Sequence, residues 1–90
     1  MQLAVKNRVL DIIAELPEPQ AANVTEVLEA IPAEFGRPHL HGGLGIRHLR
    51  PGIYEARVGL DLPAVFTREG DWLRVQFLGN HDAVRRWLRK

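Results

Sequence analysis

The chain contains no cysteine among its 90 residues, so it has neither a disulfide framework nor a thiolate metal site. That absence suits a reducing cytoplasm, where we expect the protein to act. Long apolar runs are also missing, because no stretch approaches the roughly 20 residues that a membrane-spanning helix needs. The first residues, MQLAVKNRVLDII, lack the basic start and long apolar core of a secretion signal, so we expect none.

The length of the chain predicts a single domain, residues 1–90. Its net charge of +1 conceals an asymmetry between the two halves of the sequence. Residues 1–45 carry three basic and six acidic side chains, whereas residues 46–90 carry nine basic and five acidic ones. The two halves therefore have net charges of −3 and +4, which suggests one surface for a polyanion and another for something else. All but one of the nine cations are arginine, whose planar guanidinium matches phosphate better than lysine does. Scattered, solvated charges are the alternative interpretation.

Two helices are predicted near the start of the chain. The first ends before Pro17, and the second begins near Pro19 and ends at Pro32. Their apolar stripes are Val9, Leu10, Ile13 and Leu16 in the first helix and Val24, Val27, Leu28 and Ile31 in the second. The short link LPEP predicts an antiparallel helical hairpin. Only residues 1–5 precede it, so the chain is expected to begin almost directly in a helix.

A loop rich in glycine and proline, residues 34–45, separates the hairpin from three predicted strands at 53–58, 62–67 and 71–78, with a weaker fourth at 46–49. Their apolar sides are Tyr54, Ala56 and Val58; Leu62, Ala64 and Phe66; and Leu73, Val75 and Phe77. Short connections imply antiparallel neighbours. Arg57, Arg74 and Gln76 lie on the other face of the sheet, which is too polar for a second core and is a candidate working surface.

A short final helix is predicted, with an apolar side formed by Ala83, Val84, Trp87 and Leu88. Asn80 or Asp82 is placed to cap its start. The predicted fold class is α+β, with an N-terminal antiparallel helical hairpin packed on a small twisted antiparallel β-sheet and a short C-terminal helix.

Two segments, GIYEARVGLDLPAVF at 52–66 and DWLRVQFLGNHDAVRRWL at 71–88, resemble the RelE/ParE toxin superfamily of bacterial toxin–antitoxin systems. The resemblance depends on Glu-x-Arg-Val in the first segment and on Gly-Asn-His-Asp before the last helix, and it covers residues 44–88. RelE-like members cut messenger RNA without metal, by attack of the RNA 2′-hydroxyl on the adjacent phosphate. The resemblance therefore implies a translation-inhibiting mRNA endonuclease that needs no cofactor and is neutralised by a cognate antitoxin, with the ribosome as a candidate partner.

Such cleavage needs a base, an acid and fixed positive charge on the transition state. We predict His81 as the acid or base, with Asn80 or Asp82 orienting its ring. Trp87 corresponds to a C-terminal aromatic that assists catalysis or stacks on a base in some members. The simpler alternatives are a His81 that caps the helix or packs on Trp87, and a Trp87 that belongs to the core.

Arg57, in the Glu-x-Arg-Val motif, is the predicted catalytic charge, and a salt bridge to Glu55 or Asp61 is its alternative role. The predicted RNA-binding residues are Arg47, Arg50, Arg74, Arg85 and Arg86, each of which can also be read as a solvated surface residue. His39 and His41 have spacing compatible with a metal site that His48 or His81 would complete. No cysteine or carboxylate partner accompanies them, so no metal is predicted.

Pro63 stands where ribonuclease members of the family tend to carry an arginine. Proline brings neither charge nor a backbone donor, so one transition-state contact would be missing. Pro63 therefore leaves two alternatives open: a ParE-like protein that inhibits DNA gyrase by binding alone, and a catalytically impaired relative.

Overall fold

The computed structural model describes residues 1–35, 37, 45–58 and 62–89. Its elements are β1 (Gln2–Val5), α1 (Asn7–Glu15), α2 (Glu18–Glu34), β2 (Arg47–Arg50), β3 (Ile53–Arg57), β4 (Pro63–Glu69), β5 (Trp72–Leu78) and α3 (His81–Leu88). The predicted α+β class is confirmed. The five strands form one sheet in the order β1-β5-β4-β3-β2. Strand β1 runs parallel to β5 and the other neighbours are antiparallel, so the prediction of a purely antiparallel sheet was wrong.

Strand β1 is the element that the sequence did not predict. Gln2 N donates to Asp71 O at 2.9 Å, and Lys6 N donates to Val75 O at 3.1 Å, which extends the ladder to both ends of the strand. Four residues are too few to show a period, and the partner strand lies at the far end of the chain. A strand therefore precedes the two helices, contrary to the expectation of a helical start.

Both α1 and α2 contribute to a core on one face of the sheet. Its buried members are Val9, Val24, Leu28, Ile31, Ala56, Val58, Ala64, Phe66, Leu73, Val75 and Leu78. Only Leu16 and Pro17 separate the helices. The predicted stripes supply the helical members of this core, with one exception: Leu10 is 50% exposed. Within the described residues, no helix is long and apolar enough to cross a membrane.

Pro32 lies inside α2, which continues to Glu34, so the predicted end of this helix was wrong. A proline in the last turn removes only one intrahelical hydrogen bond, and the turn is held by other contacts. Phe35 N donates to Ile31 O at 2.8 Å. The Phe35 ring packs edge-on against the rings of Tyr54 and Phe66, with centroid distances of 4.9 and 5.8 Å.

A register shift in the β4–β5 ladder changes which β5 side chains reach the core. Leu78 joins the core, whereas Phe77 pairs with Val65 and stacks on Trp87, with ring centroids 6.5 Å apart. The prediction that Phe77 shares the core side with Leu73 and Val75 was therefore wrong. A bulge of this kind reverses the alternation of a strand without any signal in its apolar pattern.

Helix α3 lies over the second face of the sheet, against β4 and β5. Val84 is buried there. Of the two predicted caps, Asn80 is the one used, because its Oδ1 accepts a hydrogen bond from Ala83 N at 2.8 Å. At the other end of α3, Arg50 Nη1 donates to Leu88 O at 2.8 Å, which satisfies a carbonyl that lacks an intrahelical donor.

Replacing Asn80 with alanine is expected to lower the free energy of unfolding by about 1 kcal/mol, because Ala83 N loses its acceptor. Urea denaturation of both proteins measures the difference. Asn80→Asp, which keeps an acceptor at the same position, should retain most of the stability. Equal unfolding midpoints for the alanine variant and the parent would contradict a capping role.

Candidate functional site

One end of the second face contains a cleft of about 300 Å³, which we call the Arg57–His81 cleft. It is lined by Gly45, Arg47, Glu55, Arg57, Leu62, Pro63 and His81. The register of the sheet explains this grouping, since Arg47 pairs with Glu55 across β2 and β3, and Arg57 pairs with Pro63 across β3 and β4. Residues directly opposite each other on neighbouring strands share a face. Two predicted catalytic residues from separate motifs, Arg57 and His81, therefore line the same cleft.

Arg57 is exposed, and with the described residues it forms neither a hydrogen bond nor an ion pair. The alternative salt bridge to Glu55 is not formed, because Glu55 pairs with Arg47; Asp61 lies outside the described residues. The side chain of Arg57 runs beside Gly45, where an added Cβ would lie 3.5 Å from Arg57 Cβ and 3.7 Å from Cζ. Gly45 has a φ of +60°, a left-handed conformation that favours glycine.

Glu55 is a cleft residue that the sequence interpretation treated only as a possible partner of Arg57. It is 5% exposed, and Arg47 contacts its Oε1 through Nη2 at 2.7 Å and Nε at 2.9 Å. A buried carboxylate needs such a partner. The signal that could have identified Glu55 is its spacing of two from Arg57, which places both side chains on one face of a strand.

His81 is the first residue of α3 and is exposed at the edge of the cleft. Neither residue predicted to orient its ring does so: Asn80 caps the helix, and Asp82 Oδ1 lies 3.6 Å from Arg85 Nη1. Trp87 packs on Phe77 and is absent from the described lining of the cleft. The imidazole is therefore accessible to a ligand, and the positive end of the helix dipole beside it favours an anion.

The five predicted RNA-binding arginines do not form one free cluster. Arg47 pairs with Glu55, Arg85 with Asp82, and Arg74 with Glu69, where Nε lies 3.2 Å from Oε2 without hydrogen-bond geometry. Arg50 holds the end of α3. Within the described part of the chain, Arg86 has no such partner. The charges of the five arginines are thus spread along the second face and α3, and carboxylates partly neutralise several of them.

The metal interpretation that the sequence disfavours falls mostly on residues whose placement is not described, since His39 and His41 lie in the range 38–44. The His48 ring packs against Tyr54, with centroids 4.9 Å apart. Across the described ranges, no three histidine, aspartate or glutamate side chains form a group able to hold a metal ion.

Comparisons with protein-family models, with curated proteins and with solved structures found no match for this chain. The chemistry of the Arg57–His81 cleft therefore has to be inferred from its own residues.

Proposed function

We propose that the protein is the toxin of a RelE/ParE-type toxin–antitoxin system and cuts translated messenger RNA in the Arg57–His81 cleft without a metal. The observation that carries this proposal is the convergence on one cleft of a guanidinium that has no partner among the described residues, an accessible imidazole and a buried carboxylate. Strand β1 adds support, because the family usually has a strand before its helical hairpin. The partners would be messenger RNA engaged by the ribosome and a cognate antitoxin, all in the cytoplasm.

Each group has a role in the proposed reaction. The Glu55 carboxylate accepts the proton of the RNA 2′-hydroxyl as its oxygen bonds to phosphorus. The bond from phosphorus to the 5′-oxygen breaks, and the His81 imidazolium donates a proton to that oxygen. Arg57 stabilises the negative charge that develops on the phosphoryl oxygens. The products are a 2′,3′-cyclic phosphate and a free 5′-hydroxyl, and Arg47 holds Glu55 in position throughout.

Induced expression in a bacterium, followed by mapping of transcript ends, tests this proposal. We expect growth arrest and new ends inside translated codons, with 5′-hydroxyl groups. Intact messages together with blocked DNA supercoiling would overturn it in favour of gyrase inhibition. Unchanged growth at verified expression would instead favour a catalytically impaired relative.

Pro63 favours the second candidate function, a ParE-like gyrase inhibitor that performs no chemistry. It is buried at the first residue of β4, pairs with Arg57 and lines the cleft. The first residue of a strand tolerates proline, and its carbonyl still accepts from Gly79 N at 3.3 Å. An arginine at this position would face the same substrate as Arg57, so its replacement by proline lowers the positive charge of the cleft.

Replacing Pro63 with arginine is expected to increase RNA cleavage by roughly tenfold, which is less than the ~10²-fold effect of a preorganised donor. The fraction of transcripts cut after induction, at matched protein levels, measures the change. Pro63→Gln, which adds length without charge, is the control and should give no comparable increase. A folded Pro63→Arg protein with unchanged or lower activity would argue against a catalytic arginine position here.

A further inference from the structure

A second pocket lies at the opposite end of the same sheet face. It has a volume of about 350 Å³ and is lined by Ala4, Glu69, Trp72 and Arg74, which come from β1, β4 and β5. Cross-strand pairs bring them together, since Ala4 lies opposite Arg74 and Glu69 opposite Trp72. Trp72 is 47% exposed, although an indole of this size usually buries most of its surface. We call this site the Trp72 pocket.

A chain of polar contacts fixes the wall of the Trp72 pocket. Gln76 Nε2 donates to Thr67 Oγ1 at 3.0 Å, and Thr67 Oγ1 donates to Glu69 Oε2 at 3.1 Å. Arg74 Nε lies 3.2 Å from that same carboxylate oxygen, is buried, and makes no hydrogen bond with the described residues. The Arg74 side chain is 43% exposed, so part of its guanidinium remains accessible to a ligand.

Strand β4 connects the Trp72 pocket to the Arg57–His81 cleft. Pro63 lines the cleft and Glu69 lines the pocket, and both belong to the strand face on which α3 lies. Six residues of extended chain span about 20 Å, a distance that a few nucleotides of a single strand can cover. The exposed side chains of Arg85 and Arg86 lie on α3, the helix that packs against β4 and β5 on this face.

We propose that the Trp72 pocket binds an unpaired nucleobase of the RNA strand whose phosphate occupies the Arg57–His81 cleft, an inference that rests on the proposed function. An exposed indole offers a stacking surface that any base can use. Glu69 can accept a hydrogen bond from an exocyclic amino group, and its negative charge disfavours a phosphate at this position. Tryptophan and arginine also mark protein interfaces, but continuity with the arginine-bearing face favours RNA.

The test measures binding of single-stranded 2′-O-methyl RNA, which has no free 2′-hydroxyl and so cannot be cut by this chemistry. The protein carries Trp87→Phe, so that Trp72 alone reports by fluorescence. A hexanucleotide should quench the Trp72 emission, whereas a dinucleotide long enough only for the cleft should not. Trp72→Ala removes the indole, so its binding is measured with a labelled oligonucleotide instead of by fluorescence of Trp72. This variant should bind the hexanucleotide about 5- to 150-fold more weakly and the dinucleotide with unchanged affinity.

Two further variants make the result specific. Trp72→Phe keeps an aromatic face and should restore most of the hexamer affinity. Leu10→Ala removes an equally exposed apolar side chain from α1, on the other face of the sheet, and should change nothing. The proposal would be overturned if Trp72→Ala weakened dinucleotide and hexanucleotide binding equally. It would also be overturned if the hexanucleotide bound without quenching the Trp72 emission.

The Arg57→Ala variant separates the two inferences. If it weakens hexamer binding while Trp72→Ala does not, the nucleobase site is wrong and the proposed function stands. If neither substitution affects hexamer binding, or no oligonucleotide binds, RNA recognition at this face is wrong altogether. If no oligonucleotide binds at all, the exposed Trp72 is assigned to a protein interface instead.

Discussion

Replacing Arg57 with alanine is expected to reduce messenger RNA cleavage by about 10²- to 10³-fold, the effect of removing one preorganised donor from a transition state. Arg57 is well placed for this role because no described carboxylate neutralises it, in contrast to Arg47 beside it. Its side chain also runs beside the backbone of Gly45, which limits its freedom. A phosphoryl group that binds Arg57 would therefore displace solvent and no carboxylate of the described residues.

The measurement is the fraction of a defined transcript cut within a fixed time after induction, at matched protein levels. Arg57→Lys keeps the charge but loses the bidentate geometry and should recover only part of the activity. Arg8→Ala removes one exposed arginine from α1, on the opposite face of the sheet, and should cut at the parental rate. Cleavage by Arg57→Ala within a few-fold of the parent would remove Arg57 from the catalytic site.

The hydrophobic pattern of short segments predicted most helices and strands of this fold, because each of these elements is long enough to show its own hydrophobic period. Strands β3, β4 and β5 were found within one or two residues. The final helix was also predicted, with Asn80 or Asp82 as its cap, and Asn80 is the one used. Two of the failures share one physical cause. Strand β1 and the reversed orientation of Phe77 depend on pairing between distant segments, which a local period does not encode.

The candidate site was predictable to the extent that strand geometry determines it. Arg57 could be assigned to the polar face from alternation alone, and His81 to the junction between strand and helix. Whether an arginine is free or paired depends on which residue lies opposite on the neighbouring strand, and hence on register. For that reason the Arg47–Glu55 pair, and with it the candidate base, became visible only in the folded sheet.

The pairing of these arginines also changes the expected electrostatics of RNA binding. Arg47, Arg74 and Arg85 each lie against a carboxylate, so they contribute less to the long-range field than their number suggests. Exposed pairs such as Arg85 with Asp82 contribute little to stability and can exchange one partner for a phosphate. RNA would therefore be recognised mainly where it displaces such contacts or meets Arg57 and Arg86 directly.

Replacing His81 with alanine is expected to reduce cleavage by about 10²- to 10⁴-fold, the usual contribution of a positioned general acid or base. The imidazole is accessible at the edge of the cleft, and Asn80 already supplies the helix cap, so the loss would not be explained by unfolding of α3. An unchanged unfolding midpoint for His81→Ala would support that distinction. His48→Ala is the matched control, because His48 packs on Tyr54 and is not among the described cleft residues.

The pH dependence of cleavage distinguishes proton transfer from a purely binding role for His81. Single-turnover rates on a ribosome-bound message, measured across a series of buffers of increasing pH, should depend on pH in the parent and in His48→Ala. If His81 is the acid, the rate falls as pH rises, because the proton donor is lost. The residual rate of His81→Ala should lack this fall. A variant that loses activity but keeps the parental pH profile would show that His81 only binds the substrate, and another group would have to protonate the leaving oxygen.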